Sequence, residues 1–427
     1  MKKAVNRRQF ITTAAKTSAL ASLASAPIIG RAQSSPSSRV VVGVMGLGRG
    51  MAHVRNALAL KDVEVGAVCD IDETRMNSAM DAVKKTGWDR AKGVSDFRRM
   101  LDNKDIDAIM IATCNHWHAP ATILACSAGK HVYVEKPGSH NPHEGEMMVA
   151  AARKNTRVVQ MGNQRRTWPA IIEAIDMVRS GQIGKVTYAR SWYNNARGSI
   201  GKGKQVPVPA NLNYDIWQGP APERPYKDNL VHYNWHWHWH WGNGELGNNG
   251  IHALDLCRWG LDVDYPSRVT YNGGRFHFDD DQETPDTGTA VFDFGDKGAS
   301  WECSSCLPRK DEKQDFVRFY GTKGTIAING SGYRILDIQG EEIAKKSGEG
   351  GDRSHMGNFF DCIRSGETPN SEIEIGQKST MMCHLGNMAY RTGSMVHFDP
   401  KKKQIINNPA AEALWARDYR PGWEPVV

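Results

Sequence analysis

A short apolar strand that breaks into a glycine turn and re-emerges as a helix leaves a chain few folds to choose from. Residues 39–70 contain that order. Arg39-Val40-Val41-Val42-Gly43-Val44-Met45 is a nearly continuous apolar run, the pattern of a parallel strand buried on both faces. Gly46-Leu47-Gly48-Arg49-Gly50-Met51 follows, then a helical stretch to Leu60. A second apolar strand, Val63 to Cys69, ends on Asp70. Strand, glycine turn, helix, strand and acid together form a dinucleotide-binding fingerprint in its proper context. Gly46 permits the tight turn. Gly48 lets the backbone approach a pyrophosphate seated on the helix N-terminus. Leu47, Arg49 and Gly50 complete the cofactor loop. Asp70 can hold both ribose hydroxyls and repels a 2′-phosphate, so NAD is expected over NADP. One detail departs from the pattern: the third glycine falls at Gly50, and Met51 stands where it belongs.

The alternation continues. Ile106–Ala112, His131–Val134 and Val158–Met161 read as strands, with helices over Ala119–Ala128 and Glu144–Lys154. A doubly wound parallel sheet over residues 39–162 is the natural outcome. Ligands in such sheets bind beyond the carboxyl ends of the strands. Thr113, Asn115, His118, Glu135 and Lys136 fall there and are cofactor-binding candidates.

Residues 163–427 read as a second α/β domain. Its strands are Val186–Tyr193, Thr289–Phe294, Ala299–Cys303, Phe316–Tyr320 and Thr325–Ile328. Its helices are Met356–Arg364 and Gly376–Arg391, each followed by glycine. Ser199–Arg224 is rich in Pro, Gly and Asn and reads as an ordered surface excursion. Asn163 and Arg165, just past the last strand of the first domain, are placed to reach a substrate or to act at a hinge. Trp192 is a similar candidate at a strand end. In Tyr233-Asn234-Trp235-His236-Trp237-His238-Trp239-His240-Trp241, an extended chain sends the histidines one way and the tryptophans the other. Packing, a sugar contact through Trp239, and a zinc or copper site all fit that alternation.

The formal charge of +7 narrows the partners once its source is located. Six cations and no acid lie in residues 1–32. Asn6-Arg7-Arg8-Gln9-Phe10-Ile11 precedes a mildly apolar stretch, and Gly30-Arg31-Ala32 supplies a small-x-small cleavage site. This is a twin-arginine export signal, with a mature start expected near Gln33 and a polar linker over 33–38. The apolar run is interrupted by Lys16 and is short for a membrane span, so no stable membrane anchor is expected. Without the signal the charge is near neutral, which removes the basic footprint of a nucleic-acid binder. Export in the folded state argues against reading the eight cysteines as a disulfide framework. Cys303 and Cys306 form one C-x-x-C with no second pair, so core or strand cysteines are the better reading, and no metal site is assigned.

Thr113-Cys114-Asn115-His116-Trp117-His118-Ala119 and Ala128-Gly129-Lys130-His131-Val132-Tyr133-Val134-Glu135-Lys136-Pro137 lie one helix apart. With Gly242-Asn243-Gly244-Glu245-Leu246-Gly247-Asn248-Asn249-Gly250-Ile251-His252-Ala253-Leu254-Asp255-Leu256, they resemble the Gfo/Idh/MocA oxidoreductases. The resemblance covers most of the chain beyond the signal. It implies an N-terminal Rossmann domain and a C-terminal α/β domain with a large open, mainly antiparallel sheet. It also implies a homodimer or homotetramer and redox chemistry on sugars or polyols. By motif, Lys136 and His252 are the implied catalytic residues, and Asn248 and Asp255 the implied substrate contacts. Asn248 departs from the aspartate common in the family. An amide holds a hydroxyl but cannot take its proton, which moves that work to His252 and Lys136.

An exported enzyme meets no exchangeable NAD pool, so the cofactor is expected to be tightly held. The leading reading is an NAD-dependent oxidoreductase acting on a CH–OH group of a sugar, polyol or glycoside. The second is a redox-neutral glycosidase or lyase that oxidises transiently, eliminates, and returns the hydride. The third is a non-catalytic carbohydrate- or metal-binding protein.

Overall fold

The computed structural model describes residues 39–427; the proposed signal and linker lie outside the described residues. Strands β1 (Val40–Met45), β2 (Val63–Cys69), β3 (Lys92–Val94), β4 (Ala108–Ile111), β5 (His131–Val134) and β6 (Val159–Met161) form one parallel sheet, ordered β3-β2-β1-β4-β5-β6. Val42, Val44, Ile109 and Val132 are fully buried, as strands covered on both faces require. β1 pairs with β2 on one side and β4 on the other. Strand order reverses at that point, so the loops leaving β1 and β4 open onto one crevice. This is the doubly wound sheet expected from the sequence.

The second sheet has ten strands. They are β7 (Val186–Asn194), β8 (Arg268–Gly274), β9 (Thr287–Asp293), β10 (Gly298–Ser304), β11 (Val317–Gly321), β12 (Gly324–Asn329), β13 (Gly332–Leu336), β14 (Glu342–Lys346), β15 (Val396–Asp399) and β16 (Gln404–Ile406). All pairings are antiparallel except β7 with β10. Helices α1 (Ile251–Leu261) and α2 (Ile373–Thr392) cover one face. The other face presents Tyr188, Arg190 and Val291 to solvent. No helix among the described residues is long and apolar enough to cross a membrane.

Three segments differ from the sequence reading. The helix Asp352–Ser365 returns from the C-terminal region to the first sheet, where Met356, Phe359 and Phe360 share a core with Val42 and Val44. The helix read from Ala119 begins at Asn115. Its first turn is held from outside: the Trp217 carbonyl faces His116 Nε2 at 2.9 Å and accepts from Trp117 Nε1 at 3.0 Å. The excursion after Ser199 is not superficial. Leu212, Tyr214, Trp217 and Ala221 are buried, and Leu212 bridges to Asp72 at the end of β2.

Candidate active site

A cleft of about 520 Å³ runs from the glycine loop past Asp70 to Lys136, Asn248 and His252. That volume lies in the range of small-molecule and cofactor sites.

At the glycine end, Gly46 adopts φ +83°, and a Cβ there would come within 2.6 Å of the Ala112 carbonyl oxygen. The turn therefore admits only glycine. A Cβ on Gly50 would lie 3.2 Å from Val44 Cγ1 and 3.5 Å from Ala112 Cβ. Gly50 thus supplies the close helix–strand packing that the usual pattern assigns one residue later. The helix Gly50–Leu58 has no side-chain cap, which leaves its positive end for an anion.

Asp70 Oδ2 accepts from the Leu47 amide at 2.6 Å, and Oδ1 from the Asp72 amide at 2.9 Å. Burial raises its pKa, opposed by those two bonds and by nearby Arg75. Asp70 lines the cleft and also ties the loop to β2. Leu47 is corrected as a cofactor contact: its amide is taken by Asp70 and its side chain is core. Gly50 acts by packing and does not line the cleft.

Gly46, Gly48, Arg49, Thr113, Asn115, His118, Glu135 and Lys136 all line the cleft. Glu135 anchors this wall, with His53 Nε2 at 3.0 Å and Arg49 Nε at 3.3 Å from Oε1. Burial favours its protonated form, but Arg49, His53 and Lys136 outweigh that and hold its pKa below the usual value. His118 Nδ1 lies 2.6 Å from the Pro137 carbonyl and Nε2 3.1 Å from that of Thr113. Burial lowers the His118 pKa, and a neutral ring donates to only one of these carbonyls, so His118 ties one loop by a hydrogen bond and packs against the other. The Lys136–Pro137 peptide is cis.

Lys136 Nζ donates to the Asn248 backbone oxygen at 2.8 Å and to its Oδ1 at 3.0 Å. Burial lowers the Lys136 pKa, with Glu135 opposing. His252, in the first turn of α1, lines the same cleft, and among the described residues its ring has no hydrogen-bond partner. Burial, then Lys136 and Arg165, push its pKa well below the usual imidazole value. An ammonium and an unprotonated imidazole thus face one cavity. That pairing can polarise a carbinol oxygen and receive its proton.

Five expected substrate contacts are corrected. Asp255 is buried in a bidentate pair with Arg166, at 2.8–3.0 Å, and accepts from Ser379 Oγ at 2.6 Å. His252 and Asp255 share α1, but Asp255 faces the domain junction. Asn163 is buried outside the cleft. Trp192 is on the second sheet under the Arg190 guanidinium, 4.5 Å from its ring centre. Trp239 packs beside Tyr390 and Arg391, away from the main cleft. Arg165 also lies off the cleft wall, stacked on Phe316 and Trp168, and burial lowers its pKa to about 10. Its neighbour Gln164 lines the cleft instead.

The His-Trp run is not extended. Asn234–Trp237 forms a 3-10 turn, so the alternation is lost. Trp237 and Trp241 are buried, His238 faces Glu283, and His240 Nε2 lies 2.8 Å from the Pro222 carbonyl. Among the described residues, no group of three or more His, Cys, Asp or Glu side chains is placed to hold a metal. All eight cysteines are unpaired. The sequence reading missed Arg75 and Trp217 as cleft residues, and from the His-Trp run it singled out Trp239 where Tyr233, Trp235 and His236 line the cleft. Arg75, five residues past Asp70, carried a local signal, as did the run itself.

Comparison with known proteins agrees with this architecture. Residues 39–163 match the family description "Oxidoreductase family, NAD-binding Rossmann fold", and residues 181–425 match "Oxidoreductase family, C-terminal alpha/beta domain". An inositol 2-dehydrogenase of Salmonella paratyphi B is 31% identical over 157 residues, covering 36% of this chain and 46% of that protein. A glycosyl hydrolase family 109 protein of Shewanella woodyi is 30% identical over 161 residues, covering 36% of this chain and 34% of that protein. The chain therefore spans less than half the length of these relatives. Among solved structures, the aldose-aldose oxidoreductase of Caulobacter crescentus with glycerol superposes with a TM-score of 0.66 at 20% identity, covering 84% of this chain and all of that one. The WlbA dehydrogenase of Bordetella pertussis, with NADH and UDP-GlcNAcA, gives 0.64 at 20% identity, covering 84% and 99%. By the two domain matches, the chain belongs to the Gfo/Idh/MocA oxidoreductase family.

Proposed function

We propose that this chain is an NAD-dependent oxidoreductase acting on a CH–OH group of a neutral sugar, polyol or glycoside. We further propose that it is exported by the twin-arginine route with its cofactor tightly held. The observation that carries the reading is the placement of Lys136 Nζ and the His252 ring in the same cleft as the glycine loop and Asp70. The glycine geometry and the uncapped helix fit a pyrophosphate, and Asp70 fits a ribose. When bound, NAD supplies the acceptor for the carbinol hydrogen.

The protein's own residues do the rest. His252 takes the hydroxyl proton as the carbonyl forms, and returns it in the reverse direction. The Lys136 ammonium steadies charge growing on the same oxygen. Asn248, through two acceptors, holds Nζ in place. A neutral substrate is favoured because the arginines that act on Lys136 are already paired, Arg49 with Glu135 and Asp352 and Arg197 with buried Glu245.

A second reading, redox-neutral glycoside cleavage, is supported by the Shewanella relative's name and by a second neutral histidine in the cleft, His236. Elimination beside a transient carbonyl needs a base beyond the one that serves the hydroxyl. One experiment separates the readings. The purified protein, without added cofactor, is denatured to identify released nucleotide, and the intact protein is run on a glycoside panel. Released NAD with ketone or lactone products needing an acceptor supports the oxidoreductase. Released NAD with glycoside cleavage supports the second reading. No nucleotide, and no rescue by NAD or NADP, overturns both.

A further inference from the structure

His236 sits in the 3-10 turn that replaces the expected extended run, and its ring lines the cleft shared by Lys136, Asn248 and His252. The ring stacks on Trp235, with centroids 3.6 Å apart and planes 21° apart, and lies 4.7 Å from the Tyr233 ring. Nδ1 is 2.6 Å from the Tyr233 carbonyl oxygen. A carbonyl only accepts, so Nδ1 carries the proton. In the neutral ring, Nε2 is then a bare acceptor, and among the described residues nothing in the protein bonds to it. Burial pushes the His236 pKa down to about 3, so the ring is neutral at ordinary pH. His252 has no partner that selects its tautomer; His236 does.

His236 is half-buried, so its bare Nε2 opens on the cleft, where a ligand donor meets an acceptor whose orientation is already fixed. We propose that His236 Nε2 accepts a hydrogen bond from a second substrate hydroxyl, beside the one served by Lys136 and His252. The site then selects a sugar or polyol bearing neighbouring hydroxyls over a lone secondary alcohol. The inference rests on the oxidoreductase reading above. His236 acts in it as a specificity-determining residue, while the Trp235 stack and the Tyr233 carbonyl hold its ring.

The test uses the full-length chain loaded with NADH. Methyl glucosides, methyl galactosides and myo-inositol are titrated by calorimetry and tryptophan fluorescence. His236→Phe keeps the aromatic stack and removes both ring nitrogens. It is expected to weaken the bound sugar roughly two- to tenfold, the net worth of one hydrogen bond, with NADH affinity unchanged. His236→Gln, whose amide oxygen can accept the same bond, should recover part of the loss. Singly deoxygenated analogues complete the test. One analogue should bind wild type as poorly as the parent sugar binds His236→Phe, and lose nothing further with that variant. If parent and deoxy sugars keep the same affinity ratios in wild type and His236→Phe, the proposal is overturned. If no sugar binds wild-type protein, the oxidoreductase reading falls and takes this one with it.

Discussion

Lys136 Nζ donates to both the backbone oxygen and the side-chain oxygen of Asn248, at 2.8 and 3.0 Å. An amide in this position holds the lysine without neutralising it, and burial keeps the lysine pKa below its usual value. Asn248→Asp would place a carboxylate against the ammonium and raise that pKa. If protonated Lys136 is required, the alkaline limb of kcat/KM should move to higher pH in the variant. An unchanged limb would remove Lys136 from the proton inventory. Lys136→Ala should lower kcat by roughly 10²–10⁴-fold, the usual worth of a positioned acid–base group, with NAD still bound.

Asp70 serves both the cleft and the glycine loop. Asp70→Ala should weaken NAD more than NADP, because a 2′-phosphate escapes carboxylate repulsion and meets Arg75. Asp70→Asn isolates the charge, since its side-chain oxygen can still accept from Leu47. Its NAD-to-NADP preference should fall by about tenfold, an energy near 1.4 kcal/mol. Equal losses for both nucleotides, by calorimetry, would show that Asp70 acts only through the loop.

The Arg166–Asp255 pair joins the domains from inside, with side chains 5% and 2% exposed. Breaking such a pair leaves an uncompensated buried charge and costs about 3–5 kcal/mol. Asp255→Asn should lower the thermal midpoint clearly while the folded fraction keeps its KM. A raised KM at unchanged stability would return Asp255 to the substrate site.

Acid should destabilise this fold through its buried histidines. Burial lowers the pKa of His53 and His355 from 6.5 to about 4, and that of His384 to about 3. Below pH 6.5 the unfolded chain binds protons that the folded chain refuses, so their stabilising contribution is fully present above 6.5. It is lost as pH falls through 6.5 toward 4 and 3, at about 1.4 kcal/mol per group per pH unit. Chemical denaturation at pH 7 and pH 5 checks this. His384→Gln should flatten the slope, and an unchanged slope would count against His384.

The first domain was legible because its signals are local. Apolar runs, a glycine at φ +83° and an acid ending β2 constrain backbone and ligand within a few residues of each other. Gly366 and Gly393, read as helix stops, both adopt the left-handed conformation that ends a helix. The family motifs placed Lys136, Asn248 and His252 in the cleft for a related reason: each sits at a strand end or helix start that the fold aims at the switch point.

Side-chain direction in irregular segments was not legible. Asp255 is one helical turn from His252, yet Arg166 draws it to the domain junction. Trp235 and His236 are neighbours that an extended chain would face opposite ways, but the 3-10 turn brings both to the cleft. Periodicity assumes a regular backbone, and here long-range bonds set the backbone, such as those of Trp217 to the first turn of the helix Asn115–Ser127. The Rossmann fold and the glycine turn were legible in the sequence because each follows from local conformation, while Lys136 and His252 were legible only through the motifs that carry the family resemblance. Tertiary structure alone decided which polar groups line the cleft, because burial and distant partners choose among side chains that local chemistry leaves equivalent.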